Sequence, residues 1–259
     1  MLDLSERQVQ IAELVREGGF LTVDALAEQY GVSTQTIRRD LTTLCDRGLA
    51  RRRHGGIERT GEAGNLAYGT RQILARNAKE AIAREVARHI PNGSSIAFSI
   101  GTTPEVVAAA LLHHEGLRIF TNNLNIAMLA CSNASFEVNI AGGRLRNSDR
   151  DILGAGMESF LSSYMVDFGV FGAAGVGEQG TLLDFYEEEV RARQLIHENS
   201  RATFLVLDHT KFGRAAHVRG GQIHDATKVF TDAEPPAPIM TLLAASDSEL
   251  VICGKEDAK

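Results

Sequence analysis

Ser99-Ile100-Gly101-Thr102-Thr103 joins a short apolar run, Ser95 to Ser99, to an apolar helical pattern that starts at Pro104. A strand that ends in glycine and threonine and turns into a helix presents backbone N–H groups and the positive end of a helix dipole. That is a seat for a phosphate. Four further segments are polar or glycine-rich where apolar runs stop: Thr121-Asn122-Asn123, Gly142-Gly143, Gly172 to Gly175, and Asp208-His209-Thr210-Lys211-Phe212-Gly213-Arg214. Lys211 is the candidate charge partner for a phosphate. Glycines also end strands for steric reasons alone, but five polar strand ends together favour a phosphate or polyol pocket.

A second group of residues suits a different chemistry. Residues 1–32 carry two arginines against six acids, whereas residues 33–59 carry seven arginines against three acids. The net charge of −6 therefore conceals a basic segment made of arginine alone, whose planar fork suits phosphates and guanine edges. The elements around it read as three short helices. Ser5 and Gln8 form a capping box for the first, which Gly18-Gly19 ends. Thr22 starts the second and Gly31 stops it; Ser33 caps the third after a tight turn. Ile37, Leu41 and Leu44 share one face of the third helix. Thr34, Gln35, Arg38 and Thr42 then lie on or near the exposed side. Gly55-Gly56 closes a hairpin that bears Arg51, Arg52, Arg53 and His54.

This is the pattern of a winged helix-turn-helix. Ser33 and Thr34 are placed to meet phosphate, and Gln35 and Arg38 to read base edges. Arg51 to His54 can reach backbone or an adjacent groove. Asp40 would be repelled by DNA and is expected to pair with a nearby arginine. The alternative is a small helical bundle with a solvated basic face.

Residues 59–70 are rich in glycine and polar residues and read as a linker. From Arg71 to Ile90 a single helical run is expected. Beyond it, candidate strands at 95–99, 117–121, 137–141, 167–172, 203–208, 228–231 and 249–253 alternate with candidate helices at 104–113, 123–132, 157–163, 186–199 and 238–245. That alternation predicts an α/β domain with a mostly parallel sheet covered by helices, whose ligands bind at the carboxyl ends of the strands. The divisions expected are 1–58 for the DNA-binding domain, 59–75 for the linker and the start of a connecting helix, and 76–254 for an effector domain. The apolar runs are too short to span a bilayer, and the N-terminus is not a signal peptide. Cys45, Cys131 and Cys253 lie far apart in apolar contexts and read as buried thiols of a reducing cytoplasm. Neither metal nor cofactor is expected.

At these residues the chain resembles the DeoR family of bacterial transcription regulators. The carriers are Arg7, Ile11 and Val15, then Ser33 with Thr36-Ile37-Arg38-Arg39-Asp40-Leu41, and the wing tail Arg52 to Gly56. In the second half they are "GTT" (101–103), "TNNLNIA" (121–127), "AGGRLR" (141–146) and "DHTKFGR" (208–214). The resemblance covers nearly the whole chain. It implies a sensor domain similar in fold to ribose-phosphate isomerases, with Thr36 and Arg39 joining the DNA-reading set. It also implies operator DNA as partner and a homodimer or homotetramer. The implied inducer is a phosphorylated polyol, glycerol 3-phosphate favoured, with fructose and tagatose phosphates as alternatives. Ser99 stands where the family usually has an acid, and Ala173-Ala174 where it often has one. Asp184, Glu187, Glu188 and Glu189 are the acids nearby, although such a run is also a solvated helix N-terminus.

The inducer residues expected are thus Ser99, Gly101, Thr102, Thr103, Thr121, Asn122, Asn123, Gly142, Gly143, Gly175, Asp184 and Lys211. A sugar-phosphate isomerase with an accessory domain is the competing function. Isomerisation needs a placed base, and the turns at 99–103 and 172–175 contain no acid, histidine or lysine. A sensor is therefore expected rather than an enzyme.

Overall fold

Ser5 accepts the backbone N–H of Gln8, and Gln8 Oε1 accepts the Ser5 N–H in return, at 3.3 and 3.0 Å. This reciprocal cap starts α1 (Glu6–Gly18). The computed structural model describes residues 4–58 and 65–254, without the side chains of 16–18; the linker expected at 59–70 lies partly outside them. A short strand, β1 (Phe20–Thr22), follows α1. Thr22 then caps α2 (Val23–Tyr30), which ends at Gly31 with φ 62°, a left-handed conformation that glycine adopts without strain. Ser33 caps α3 (Thr34–Asp46) through the Thr36 N–H. Ile37, Leu41 and Leu44 are buried in one cluster with Ile11, Val15 and Leu26.

Asp40, on the same buried face, accepts from Arg7 Nε at 2.7 Å and from Gln8 Nε2 at 2.8 Å. Both carboxylate oxygens are thus used to tie α3 to α1, which is the arginine pairing expected of it. The wing is larger than the expected hairpin. β2 (Arg51–Arg53) and β3 (Gly56–Glu58) form a three-stranded antiparallel sheet with β1, in the order β1-β3-β2. Gly56 permits this, since a Cβ there would lie 2.0 Å from the Leu21 carbonyl oxygen.

The single helix expected over 71–90 is two. α4 (Tyr68–Ile73) stops where Leu74 turns extended, and Ala75 takes φ 52° before α5 (Arg76–Arg88) begins. The apolar periodicity runs through this break, which is why the pattern concealed it. Contacts divide the chain into two units at Arg76 and Asn77.

The second unit is built on seven strands: β4 (Ser95–Phe98), β5 (Arg118–Thr121), β6 (Glu137–Ile140), β9 (Val166–Phe171), β12 (Ser200–Val206), β14 (Lys228–Thr231) and β15 (Glu249–Ile252). All pair in parallel, in the order β15-β14-β12-β9-β4-β5-β6. Each lies in or next to an expected strand, because strands covered on both faces read as continuous apolar runs. One face packs α5, α6 (Thr102–Ala110) and α7 (Leu124–Ala130) on Ile96, Phe98, Ile119, Val170, Phe204 and Phe230. The other packs α8 (Ala155–Ser162), α9 (Glu187–Glu198) and α10 (Ala237–Ala244) on Ala97, Phe120, Phe171, Leu205 and Val229. Two small antiparallel sheets were not anticipated. They are β7 (Arg144–Arg146) with β8 (Asp151–Leu153), and β10 (Gly175–Val176), β11 (Thr181–Asp184) and β13 (Val218–Gln222) in the order β10-β11-β13.

The cysteines differ from the expectation of three buried thiols. Cys253 is buried, Cys45 is half-buried and Cys131, at the end of α7, is exposed. Burial, reinforced by the charges of Glu85 and Asp232, pushes the Cys253 thiol up to about 12. In native protein at neutral pH, a disulfide-exchange reagent should label Cys131 and spare Cys253 until the chain unfolds. Equal labelling rates would place Cys253 at the surface.

Candidate functional site

Two sites emerge, one in each unit. In the first, Gln35, Arg38, Arg39 and Thr42 are exposed on α3, while Thr34 and Thr36 are half-buried. Ser33 and Thr36 bond each other through their hydroxyls at 2.9 Å, which fixes the first turn of the helix. The wing arginines and His54 are exposed. Arg52 has a specific partner. Its Nη2 donates to Thr42 Oγ1 and reaches the Arg38 carbonyl oxygen at 3.4 Å. Arg52 thereby ties the wing to the exposed face of α3.

In the second unit the strand order explains why the polar turns matter. β4 and β9 are neighbours, yet β4 leads into α6 on one face of the sheet and β9 leads towards α9 on the other. Crossovers that leave adjacent strands in opposite directions open a crevice at the strands' carboxyl ends. Gly101 and Gly172 flank it. A Cβ on Gly172 would lie 3.4 Å from the Val206 carbonyl oxygen and 3.8 Å from Pro104 Cδ. The ends of β4, β9 and β12 therefore converge on one spot.

Gly101, at φ 132°, occupies the N-cap of α6 with no side-chain cap. A Cβ there would lie 3.2 Å from Pro104 Cδ, and Pro104 has no N–H to satisfy. Thr102 and Thr103 follow and are almost fully buried. Ser99 is buried, and its hydroxyl donates to the Ile100 carbonyl at 3.1 Å.

Beyond β12, Asp208 is 1% exposed. Its Oδ1 accepts the Thr210 N–H at 3.0 Å, and its Oδ2 faces Lys211 Nζ at 3.9 Å. Lys79, on α5, is 2% exposed and adds a second positive field. Burial would push the Asp208 carboxyl up. The charges of Lys211 and Lys79, with the Thr210 hydrogen bonds, outweigh it and hold the group below its ordinary value. Asp208 is thus a buried carboxylate held in the fields of two lysines in the turn that follows β12.

The remaining expected residues divide. Asn123 caps α7 and donates to Glu105 Oε1 at 2.9 Å, and Asn125 donates to the same oxygen at 3.1 Å. Asn122 is buried, its amide donating to the Ile152 carbonyl at 3.1 Å while Oδ1 has no partner among the described residues. Thr121 donates to the Phe98 carbonyl and accepts the Asn123 N–H, so its hydroxyl holds the turn. Gly142 and Gly143 accommodate the β7–β8 hairpin: a Cβ on Gly143 would lie 2.7 Å from the Leu153 oxygen. Gly175 backs onto the Arg214 carbonyl, 2.1 Å from where a Cβ would stand. Asp184 is in a buried ion pair with Arg193 and accepts the Ala174 N–H at 2.9 Å. Arg193 also donates to the carbonyls of Gly172 and Gly220, so this pair braces the turn after β9. Glu187 and Glu188 are exposed, and Glu189 pairs with Arg146 at 2.7 Å.

Sequence reasoning missed Lys79, Glu105 and Arg193. A signal was present for two of them. Lys79 falls on the buried face of α5 with Ile82, Ala83 and Val86, and Arg193 on that of α9 with Val190 and Ile196. A cation at a core position of an amphipathic helix is costly unless paired. A cleft of about 580 Å³ opens on this unit beside Met157, Tyr186 and His217; Glu187 and Glu188 line it, and the residues expected to hold the inducer do not. Among the described residues no cluster of His, Cys, Asp or Glu is arranged to hold a metal, and no helix is long and apolar enough to cross a membrane.

A winged helix-turn-helix joined to a parallel α/β domain with a crevice at its strand ends defines a ligand-responsive DNA reader. Residues 7–62 match the DeoR-like helix-turn-helix domain and residues 75–233 the DeoR C terminal sensor domain. The chain belongs to the DeoR family. It is 43% identical over 249 residues to the glycerol-3-phosphate regulon repressor of Escherichia coli (strain K12), covering 96% of this chain and 99% of that one. The repressor of the same name from Haemophilus influenzae is 44% identical over 249 residues, covering 96% and 97%. Among solved structures, ribose 5-phosphate isomerase a from Methanocaldococcus jannaschii aligns with 54% of this chain and 55% of its own, at 16% identity and a TM-score of 0.40.

Replacing Asp208 by asparagine would take a buried negative charge away from Lys211 and Lys79. Breaking a buried charge pair costs about 3–5 kcal/mol, so Asp208→Asn should lower the unfolding free energy by that order in urea titration. The depressed native carboxyl adds stability above the ordinary Asp value of about 4, and that stability is lost as the pH falls through the native value. The variant should therefore show a flatter acid limb than wild type. An unchanged stability and acid limb would mean that the lysines are neutralised elsewhere.

Proposed function

We propose that the chain is a DNA-binding transcriptional repressor of glycerol 3-phosphate metabolism, released from its operator when a phosphorylated polyol occupies the crevice of the second unit. What supports this reading is the crevice at the ends of β4, β9 and β12, with Asp208 and Lys211 in the turn that follows β12, in a chain similar along 96% of its length to named glycerol-3-phosphate regulon repressors. The ligand phosphate takes the N–H groups of Thr102 and Thr103 and the Lys211 ammonium. The polyol hydroxyls lie towards Ser99 and the Asn122–Asn123 turn. Ser99 supplies no negative charge, which suits a ligand whose recognition rests on its phosphate.

On the DNA side, Ser33 and Thr34 meet phosphate, and Gln35 and Arg38 read base edges in the major groove. Thr36, Arg39 and Thr42 complete the helix surface, with Arg51, Arg53 and His54 reaching from the wing. Arg52, through Thr42, sets the wing against the helix. The protein works in the cytoplasm as a homodimer or homotetramer, since paired reading heads match a two-fold operator. Ligand releases DNA only to the extent that it binds the released state more tightly.

Three measurements test this reading. Glycerol 3-phosphate should raise the melting temperature, since a ligand of the folded state stabilises it. Fructose and tagatose phosphates should do so less, and the reverse ranking would redirect the assignment to a hexose phosphate. Lys211→Ala should bind operator normally in fluorescence anisotropy yet fail to release it at ligand concentrations that free the wild type. Normal release would remove Lys211 from the site. Arg38→Ala should lose about 1–3 kcal/mol of discrimination between operator and a changed base pair. Wild-type operator binding by that variant would overturn the placement of α3 in the groove.

A further inference from the structure

Side chains alternate across a strand, so the three wing arginines divide between two faces. Arg52 faces α3, beside its register partner Ile57 in the core. Arg51 and Arg53 emerge on the opposite face, where they meet one carboxylate. Arg51 Nε donates to Glu58 Oε1 at 3.0 Å, and Arg53 Nη1 donates to Oε2 at 3.0 Å. Each oxygen thus holds one guanidinium. The arginine side chains are 72% and 63% exposed, and that of Glu58 only 17%. Arg53 also lies over the ring of Phe20, 5.5 Å from its centroid, and Phe20 is the register partner of Glu58 on β1. The hydrogen bond from Arg51, more than any other contact, holds the Glu58 carboxyl below the usual carboxylate range.

We infer that Glu58 is a specificity-determining residue, a counter-charge that keeps Arg51 and Arg53 from random phosphates, so that affinity rests on what α3 reads rather than on the charge of the wing. The inference rests on the DNA-reading role proposed above. Non-specific affinity grows with the number of phosphates that cations neutralise, through release of condensed counterions. A carboxylate that occupies two arginines lowers that number on every sequence alike. Exposed ion pairs contribute little to stability, so these are exchanged for phosphate without disturbing the fold. A random duplex is held by charge alone, so each freed cation adds to its affinity, whereas on the operator α3 fixes the wing and the pairs stay closed, so that Glu58 weighs more on random binding than on operator binding. Glu58 touches no base. Its effect is on the ratio of operator to random affinity.

The test uses the full chain, a duplex selected in vitro by the wild type, and a random-sequence duplex of equal length, titrated by fluorescence anisotropy over a range of NaCl concentrations. Glu58→Gln should bind the random duplex several-fold tighter, with a salt slope steeper by about 1–2, one for each arginine released. The operator-to-random ratio should fall. Glu58→Asp, which keeps the charge, should restore wild-type slope and ratio. Removing the arginines in the Arg51→Ala/Arg53→Ala/Glu58→Gln triple variant should abolish the gain. An unchanged slope and ratio in Glu58→Gln would overturn the inference. So would a parallel loss on both duplexes, which is the mark of a purely structural role. A wild type that binds no duplex would overturn the DNA-reading assignment itself, and this role with it.

Discussion

The second unit depends on one topological constraint: β4 and β9 lie side by side while their crossovers depart to opposite faces of the sheet. Helices cannot cover the strand ends where the connections diverge, so backbone and polar side chains there are left to each other. Everything chemically distinctive in this unit answers that exposure. Gly101 and Gly172 let the chain turn tightly at the rim. Thr121 and Asn123 use their side chains to hold the next turn over, and Asn122 does so through its amide N–H. Arg193 gathers the carbonyls of Gly172 and Gly220 and the carboxylate of Asp184 into one brace.

The same crevice concentrates charge. Asp208 sits at the end of β12 with Lys211 three residues on and Lys79 arriving from α5. Two cations share one carboxylate whose second oxygen has no hydrogen bond from the described residues. The first unit handles its charges in a comparable way. Asp40 is consumed by Arg7 and Gln8, Arg52 by Thr42, and Arg51 and Arg53 by Glu58. Four of the arginines in this unit are thereby held by partners within it, while Arg38 and Arg39 stand exposed on α3.

Most of this fold was legible from local pattern, and the rest was not for identifiable reasons. The central parallel strands announced themselves because they are apolar on both faces, as in Ser95–Phe98 and Val166–Phe171. The caps at Ser5, Thr22 and Ser33 followed from side chains able to bond their own helix starts. The order of the strands was not legible, since it depends on pairings between segments such as 96–98 and 168–170. The two small sheets were too short and too polar, with Arg144 and Arg146 in one and Gly175 in the other. The break at Leu74–Ala75 hid because apolar spacing continues through it. At the site, the glycine and threonine turns were visible as motifs, whereas Lys79 is marked only by the phase of α5, which sets it on the buried face.

The electrostatics of the crevice also separate sensing from turnover. A base that moves a proton next to a carbonyl works best with a pKa near the working pH. Asp208, the buried carboxylate of the crevice, is driven the other way by Lys211 and Lys79, which makes it a weak base and a good counter-ion. Glu105 is consumed as an acceptor by Asn123 and Asn125, and Asp184 by Arg193 and the Ala174 amide. Each acid around the α6 N-terminus is therefore committed to holding structure or balancing cations. An anion that enters meets fixed donors and fixed charge, an environment that binds without transforming. That is the requirement on a regulator whose output is the occupancy of DNA, and it fits a family whose named members here are repressors.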